Sequence, residues 1–163
     1  MAKKFHLESR SEPALFTLIG ISCHIKDYRL SYLLNRHLEL DFQKMEDLVS
    51  PGIPQREPDM FSFYYCCDEN SYNSYYLLSN LGQESILINE LKQTDFLLLI
   101  EGPLKKEQLD GLLHTIRSIP QVQTCFEIRF STVKNFENLL TDLELHYSNI
   151  TRKMQIKYSS IKK

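Results

Sequence analysis

The sequence predicts an α+β domain with a mainly antiparallel sheet, two helices packed on one face as a ferredoxin-like variant, and a further helix at the C-terminus. Three observations carry this expectation. Two segments, Leu30 to Leu38 and Leu109 to Ile116, repeat apolar residues at the 3.6-residue helical period. Several short runs rich in bulky and β-branched residues lie between and beside them. The order of these pieces places a helix after the first strand and another before the last, which suits a split β-α-β arrangement.

The elements follow in order. Residues 1–13 are polar, end in Pro13 and read as a flexible lead-in. Leu15 to Ile21 (LFTLIGI) reads as the first strand. Ser22 stands where a helix N-cap is expected. Leu30, Leu33, Leu34 and Leu38 form one apolar stripe, with Asp27 early and Arg36 and His37 late, as the helix dipole favours. Glu39 to Gln43 reads as a second strand. From Glu46 to Pro58, the prolines 51, 54 and 58 and Gly52 exclude regular structure.

Met60 to Cys66 and Tyr75 to Asn80 read as a hairpin about the turn-forming stretch Asp68-Glu69-Asn70-Ser71. Ser85 to Ile88 is a short strand and Asp95 to Ile100 a long one. A second helix spans Lys105 to Ser118, with Leu109, Leu112, Leu113 and Ile116 as its buried face. Gly111 inside it suggests close packing on the sheet. Pro120 stops that helix, and Val122 to Phe130 is the last strand. Val133, Phe136, Leu139, Leu140, Leu143 and Tyr147 predict a third helix, whose pattern fades beyond about Ser148. The expected organisation is a lead-in over 1–13, one domain over 14–140 and a helical extension with a basic tail over 141–163.

At 163 residues and a net charge of −2, the chain has the size and balance of one globular domain. The charge is uneven. Arg152, Lys153, Lys157, Lys162 and Lys163 fall in the last 13 residues with no acid among them, leaving 14 basic against 21 acidic residues elsewhere. Such a tail reads first as a solvated end. No bulk basic character points to nucleic acid, which is not an expected partner. The opening residues lack the apolar core of a signal peptide, and Phe96 to Ile100 is too short to cross a bilayer. A cytoplasmic protein with reduced thiols and no membrane partner is expected.

Chemistry-bearing motifs are sparse. Cys66 and Cys67 are adjacent, so on a strand they face opposite ways and cannot share a metal ion in the usual manner. No metal and no cofactor are expected. There is no glycine-rich phosphate loop, no Gly-x-Ser-x-Gly and no His-Glu-x-x-His. The aromatics draw attention instead. Phe61, Phe63 and Tyr65 alternate onto one face of their strand, and Tyr75 and Tyr76 lie on its hairpin partner. Phe63, Tyr65, Tyr75 and Tyr76 are the candidate contact surface, with Tyr64 in the core. An alternative pocket combines His24, Tyr28 and Arg29, at the first helix N-terminus, with Glu90 and Asp95 of the central turn.

Several segments resemble the bacterial IPExxxVDY family. Leu18-Ile19-Gly20-Ile21-Ser22-Cys23-His24-Ile25-Lys26-Asp27-Tyr28-Arg29-Leu30 is similar to that family's opening, and Phe61-Ser62-Phe63-Tyr64 to its aromatic strand. The name-giving motif aligns with Ile88 to Phe96. Ile88, Glu90 and Asp95 match it, while Asn89 replaces Pro, Thr94 replaces Val and Phe96 replaces Tyr. Gly102-Pro103, Ile119-Pro120 and Phe126-Glu127-Ile128 continue the likeness, which spans about residues 14–140. The resemblance implies a small cytoplasmic protein of uncharacterised role and brings no catalytic residues with it.

The functional expectation is therefore a non-catalytic interaction or regulatory module that meets a protein partner or a second copy. Its alternatives are a small-ligand-binding domain or weak enzyme using the pocket above, and an RNA-binding accessory protein using the tail and aromatics.

Overall fold

A computed structural model describes residues 16–50 and 57–161. The expected lead-in over 1–13, the Pro51–Pro54 stretch and the final two lysines lie outside the described residues. The chain divides into two compact units, Pro13–Val133 and one that contains 134–163.

The first unit is an antiparallel sheet built from β1 (Phe16–Ser22), β2 (Gln43–Val49), β3 (Met60–Asp68), β4 (Asn73–Ser79), β5 (Phe96–Glu101) and β6 (Thr124–Ile128), with helices α1 (Asp27–Leu38) and α2 (Lys106–Ser118). The spatial order is β2-β3-β4-β5-β1-β6. Every neighbouring pair is antiparallel. β5, α2 and β6 thus form a split β-α-β unit with β1 between its strands. The meander β2 to β5 widens what would otherwise be a four-stranded ferredoxin-like sheet.

The alternation of each strand divides its side chains between two faces. Ile19, Ile21, Tyr64, Cys66, Tyr75, Leu77, Phe96, Leu98 and Ile100 point to the helix side. There they join Leu30 and Leu34 of α1 with Leu113 and Ile116 of α2 in one buried cluster, while Leu33, Leu38, Leu109 and Leu112 pack partly buried against it. Both expected helical stripes therefore meet the sheet. Leu18, Phe61, Phe63, Leu78, Leu97, Leu99 and Ile128 belong to the opposite face and are buried as well.

Several boundaries differ from the expectation. The second strand begins at Gln43 rather than Glu39 and runs to Val49, into the stretch expected to lack regular structure, with a bulge between Met45 and Leu48. Glu39 instead ends α1 in the left-handed region at φ 55°, its N–H bonded to Asn35 O. The Asn35 side chain then accepts from Phe42 N at 2.7 Å, so the turn out of α1 is fixed by side chain to backbone bonds. No strand forms at Ser85 to Ile88; one bridge, Leu81 to Ile86, takes its place. Gly111 lies exposed with open space where a Cβ would sit, so it marks no close packing.

Ser22 is no helix cap. It is the last residue of β1, its hydroxyl donates to Gln93 O at 2.9 Å, and α1 starts later, at Asp27.

The second unit contains α3 (Phe136–Ile161), which begins after Asn135 at φ 58°. Phe136, Leu140, Leu143 and Ile150 are its buried residues. The helix does not fade at Ser148. It continues to Ile161, and every side chain from Arg152 to Ile161 is exposed.

Candidate functional site

The segment from Ile88 to Phe96 is organised by one buried residue, Asn80, at the end of β4. Its Oδ1 accepts from Ile88 N at 2.8 Å, and its Nδ2 donates to Leu91 O at 2.9 Å and Thr94 O at 3.0 Å. The Asn80 backbone adds bonds to Asp95 O and from Leu87 N. An asparagine has donors and an acceptor on one planar group, so it can close a loop from both sides. Asn89–Leu91 forms a single 3-10 turn inside this loop.

The loop in turn shapes the neighbouring strand. Thr94 is buried over Gly20 of β1, where an added Cβ would come within 3.0 Å of Thr94 Cγ2 and 2.9 Å of Ile128 Cδ1. Asp95 leaves the loop with its carboxylate accepting from Cys23 N at 2.8 Å. This fixes the backbone where β1 turns toward α1.

A second carboxylate performs the same task on the other side. Asp59 accepts from Gln83 N, Glu84 N and Ser85 N, from the Ser85 hydroxyl and from Met60 N, all between 2.8 and 3.0 Å. The Glu84 amide and the Ser85 hydroxyl hold its carboxyl well below the usual carboxylate range. Gly82 is needed beside it, because a Cβ there would collide with the Asp59 carboxylate.

Between these supports, at the entrance to α1, opens a cleft of about 500 Å³. That volume lies within the range of small-ligand sites. Cys23 to Asp27 form one wall, Lys44, Asp47, Met60 and Ser62 another, and Ser79 to Gln83 with Asp95 and Phe96 the rest. Three carboxylates line it, and each already has an internal partner. Asp27 accepts from the Tyr64 hydroxyl at 2.9 Å, Asp47 pairs with Lys44, and Asp95 receives the Cys23 amide. Lys44 also lies over the Tyr64 ring, 5.2 Å from its centroid. His24 and Lys26 stand exposed at the rim.

The thiol in this wall is held protonated. Burial pushes Cys23 up to about 11, the nearby Asp95 charge adding to the rise and the Ile25 amide opposing it. Tyr64 is likewise raised, by burial first and by its bond to Asp27 second. A thiol in that state is a poor nucleophile at neutral pH.

Of the alternative pocket, His24 and Asp95 come together in this cleft. Tyr28 and Arg29 point into solvent from α1, Tyr28 at 67% exposure, and Glu90 lies exposed on its loop outside the lining. The aromatic candidates do not form one surface. Tyr75 pairs with Cys66 and is buried on the helix side, at 6.2 Å from Phe42 in an edge-on contact. Phe63, Tyr65 and Tyr76 share the other face, where Phe63 is fully buried. Tyr65 and Tyr76 are half-buried and their hydroxyls reach Ser74 and Glu101. A ring already enclosed has no area left to offer a partner, so Phe63 and Tyr75 leave the candidate surface. Tyr64 is in the core.

Lys44, Asp47 and Gln83 stand in no motif, and Lys26 and Ser62 stand only in the segments that resemble the family; all five enter the site through the fold. Cys66 is buried and Cys67 exposed, on opposite sides of β3, and all four cysteines are free. Among the described residues, no group of three or more His, Cys, Asp and Glu side chains is placed to hold a metal ion. No described helix is long and apolar enough to cross a membrane.

No family model matches the chain, and neither does any curated protein.

Proposed function

We propose that this chain is a non-catalytic binding module whose recognition site is the cleft at the entrance to α1. The observation that carries the reading is a preformed cleft of about 500 Å³ whose walls are fixed by buried or bonded groups, Asn80, Asp59 and Asp95. Such a site binds without first ordering its own loops, which is where much binding free energy is otherwise lost. Its lining mixes Lys26 and Lys44 with three carboxylates, two serines and Gln83, around the apolar Ile25, Met60, Leu81 and Phe96. That mixture suits a small ligand carrying both a positive and a negative group on a short apolar frame.

The non-catalytic part rests on what the reactive groups are doing. The Cys23 thiol is stabilised in its protonated form, and each carboxylate is engaged in holding the wall. General acid–base or nucleophilic work needs a group poised to exchange its proton near neutral pH. The four cysteines are free, which suits a reducing compartment and supports a cytoplasmic reading. The same reading accords with membership of the IPExxxVDY family, which would bring no catalytic residues.

The test is a thermal-shift screen of the full chain against small zwitterions, amines, carboxylates and sugar phosphates. A stabilising compound should lose at least tenfold in affinity, measured by calorimetry, when Lys26→Glu or Gln83→Ala is introduced. Both side chains are exposed, so the fold tolerates the changes. Affinity unaffected by either substitution removes the cleft from the account.

A further inference from the structure

We propose that the exposed end of α3 is an anchor helix for a partner protein, docking into an apolar groove rimmed by carboxylates. Met154, Tyr158 and Ile161 are 47, 71 and 71% exposed. They stand at i, i+4 and i+7, on one side of the helix. This is the spacing with which amphipathic helices engage grooves. The stripe continues the line of Phe136, Leu140, Leu143 and Ile150, which are buried, so one apolar seam runs the length of α3 and only its last third is uncovered.

Charge selects the kind of partner. Lys153 and Lys157 flank one edge of the stripe, Arg152 stands on the opposite side of the helix, two further lysines follow in the sequence, and no acid occurs after Glu144. The helix dipole accounts for cations in the last turn only; Arg152 and Lys153 stand earlier. A second copy of this segment is disfavoured, because pairing two such ends brings like charges together with little apolar area in return. A flat anionic bilayer is disfavoured by the remaining 14 basic and 21 acidic residues, which it would repel, and by a stripe of only three apolar side chains. A groove encloses three anchors on more than one side, and rim carboxylates meet the lysines without facing the acidic remainder of the chain.

The experiment places a photo-reactive amino acid at position 158, or at 145 as control, in the full chain within source cells. Leu145 is 62% exposed, and the helical repeat sets it on the side of α3 away from Tyr158. A protein cross-linked from position 158 and not from 145 is then purified and its affinity for the unmodified chain measured. The proposal expects Ile161→Ser and Lys153→Glu/Lys157→Glu each to weaken binding at least tenfold. It also expects about a tenfold loss between 0.1 and 0.5 M salt. Circular dichroism confirms that the variants stay helical. Absence of a side-selective cross-link overturns the proposal, as does an affinity indifferent to those substitutions. Two further outcomes also overturn it: concentration-dependent dimerisation lost with Ile161→Ser, and binding of the chain to phosphatidylglycerol-containing vesicles with the same dependence.

Discussion

Asn80→Ala tests whether one buried amide organises the central loop. The substitution removes the hydrogen bonds with Ile88 N, Leu91 O and Thr94 O and a longer one, at 3.5 Å, to Ile88 O, and it leaves Ile88 N and Thr94 O in a buried setting. An unsatisfied buried backbone group costs about 1–3 kcal/mol. Leu91 is only half-buried, so water can replace its bond and it adds little. Two buried orphans, with a small cavity where the amide stood, set the expected loss at about 3–5 kcal/mol. That is a large share of the roughly 5–15 kcal/mol by which domains of this size are stable. Asn80→Asp keeps the acceptor for Ile88 N but turns a carboxyl oxygen toward two carbonyls, so it should destabilise by a similar amount. Urea unfolding followed by circular dichroism at 25 °C measures both. A loss below 1 kcal/mol for Asn80→Ala refutes the reasoning, since it means that water or a relaxed loop satisfies these groups.

Gly20→Ala should cost about 1–3 kcal/mol through overpacking against Thr94 and Ile128, read from the same urea transitions. Asp59→Ala should release the 82–85 turn without unfolding the sheet, seen as faster amide exchange at Gln83, Glu84 and Ser85. Because the Asp59 carboxyl is held below the usual range, that turn should keep its protection at pH 4 and loosen only in stronger acid. The buried thiols predict the opposite limb. Cys23 and Cys125 are both pushed up to about 11 from an ordinary value near 9, so the unfolded chain loses these protons first as pH rises. Their contribution is complete below pH 9 and is lost between about 9 and 11, at about 1.4 kcal/mol per pH unit for each thiol. Urea midpoints at pH 8 and 10.5 check it, and a C23S/C125S variant should flatten the fall.

What the sequence disclosed depended on the range of the interaction. α1 and α2 were legible because Leu30, Leu34, Leu113 and Ile116 meet the sheet through a local period. β2 was misplaced because its side chains are mostly exposed, as expected of an edge strand, and carry no alternation; what defines it is pairing with β3. Ser85 to Ile88 has strand-forming residues, yet Asn80 and Asp59 draw its backbone into loop bonds instead. Side-chain competition of this kind leaves no periodic trace.

The site was legible only in part, for the same reason. His24 and Asp95 were expected together, and the Cys23 amide explains how they meet, since Asp95 reaches across to β1 through it. Glu90, five residues before Asp95, ends outside the cleft because the 3-10 turn at Asn89–Leu91 rotates it away. The aromatic surface failed on strand parity. Tyr75 and Tyr76 are neighbours in sequence, so they face opposite sides of β4, and only Tyr76 can join Tyr65. Lys44 and Ser62 reach the cleft from β2 and β3, whose pairing with each other sets their place, and no local pattern encodes that.

The most direct measurement is a nitrogen–proton correlation spectrum of the full chain, titrated with the compounds that stabilise it in the thermal screen. Saturable shifts concentrated at Cys23 to Asp27, Lys44, Ser62, Gln83 and Asp95 are the predicted result. Shifts confined to Phe63, Tyr65 and Tyr76, or spread without saturation, contradict a ligand seated at the entrance to α1.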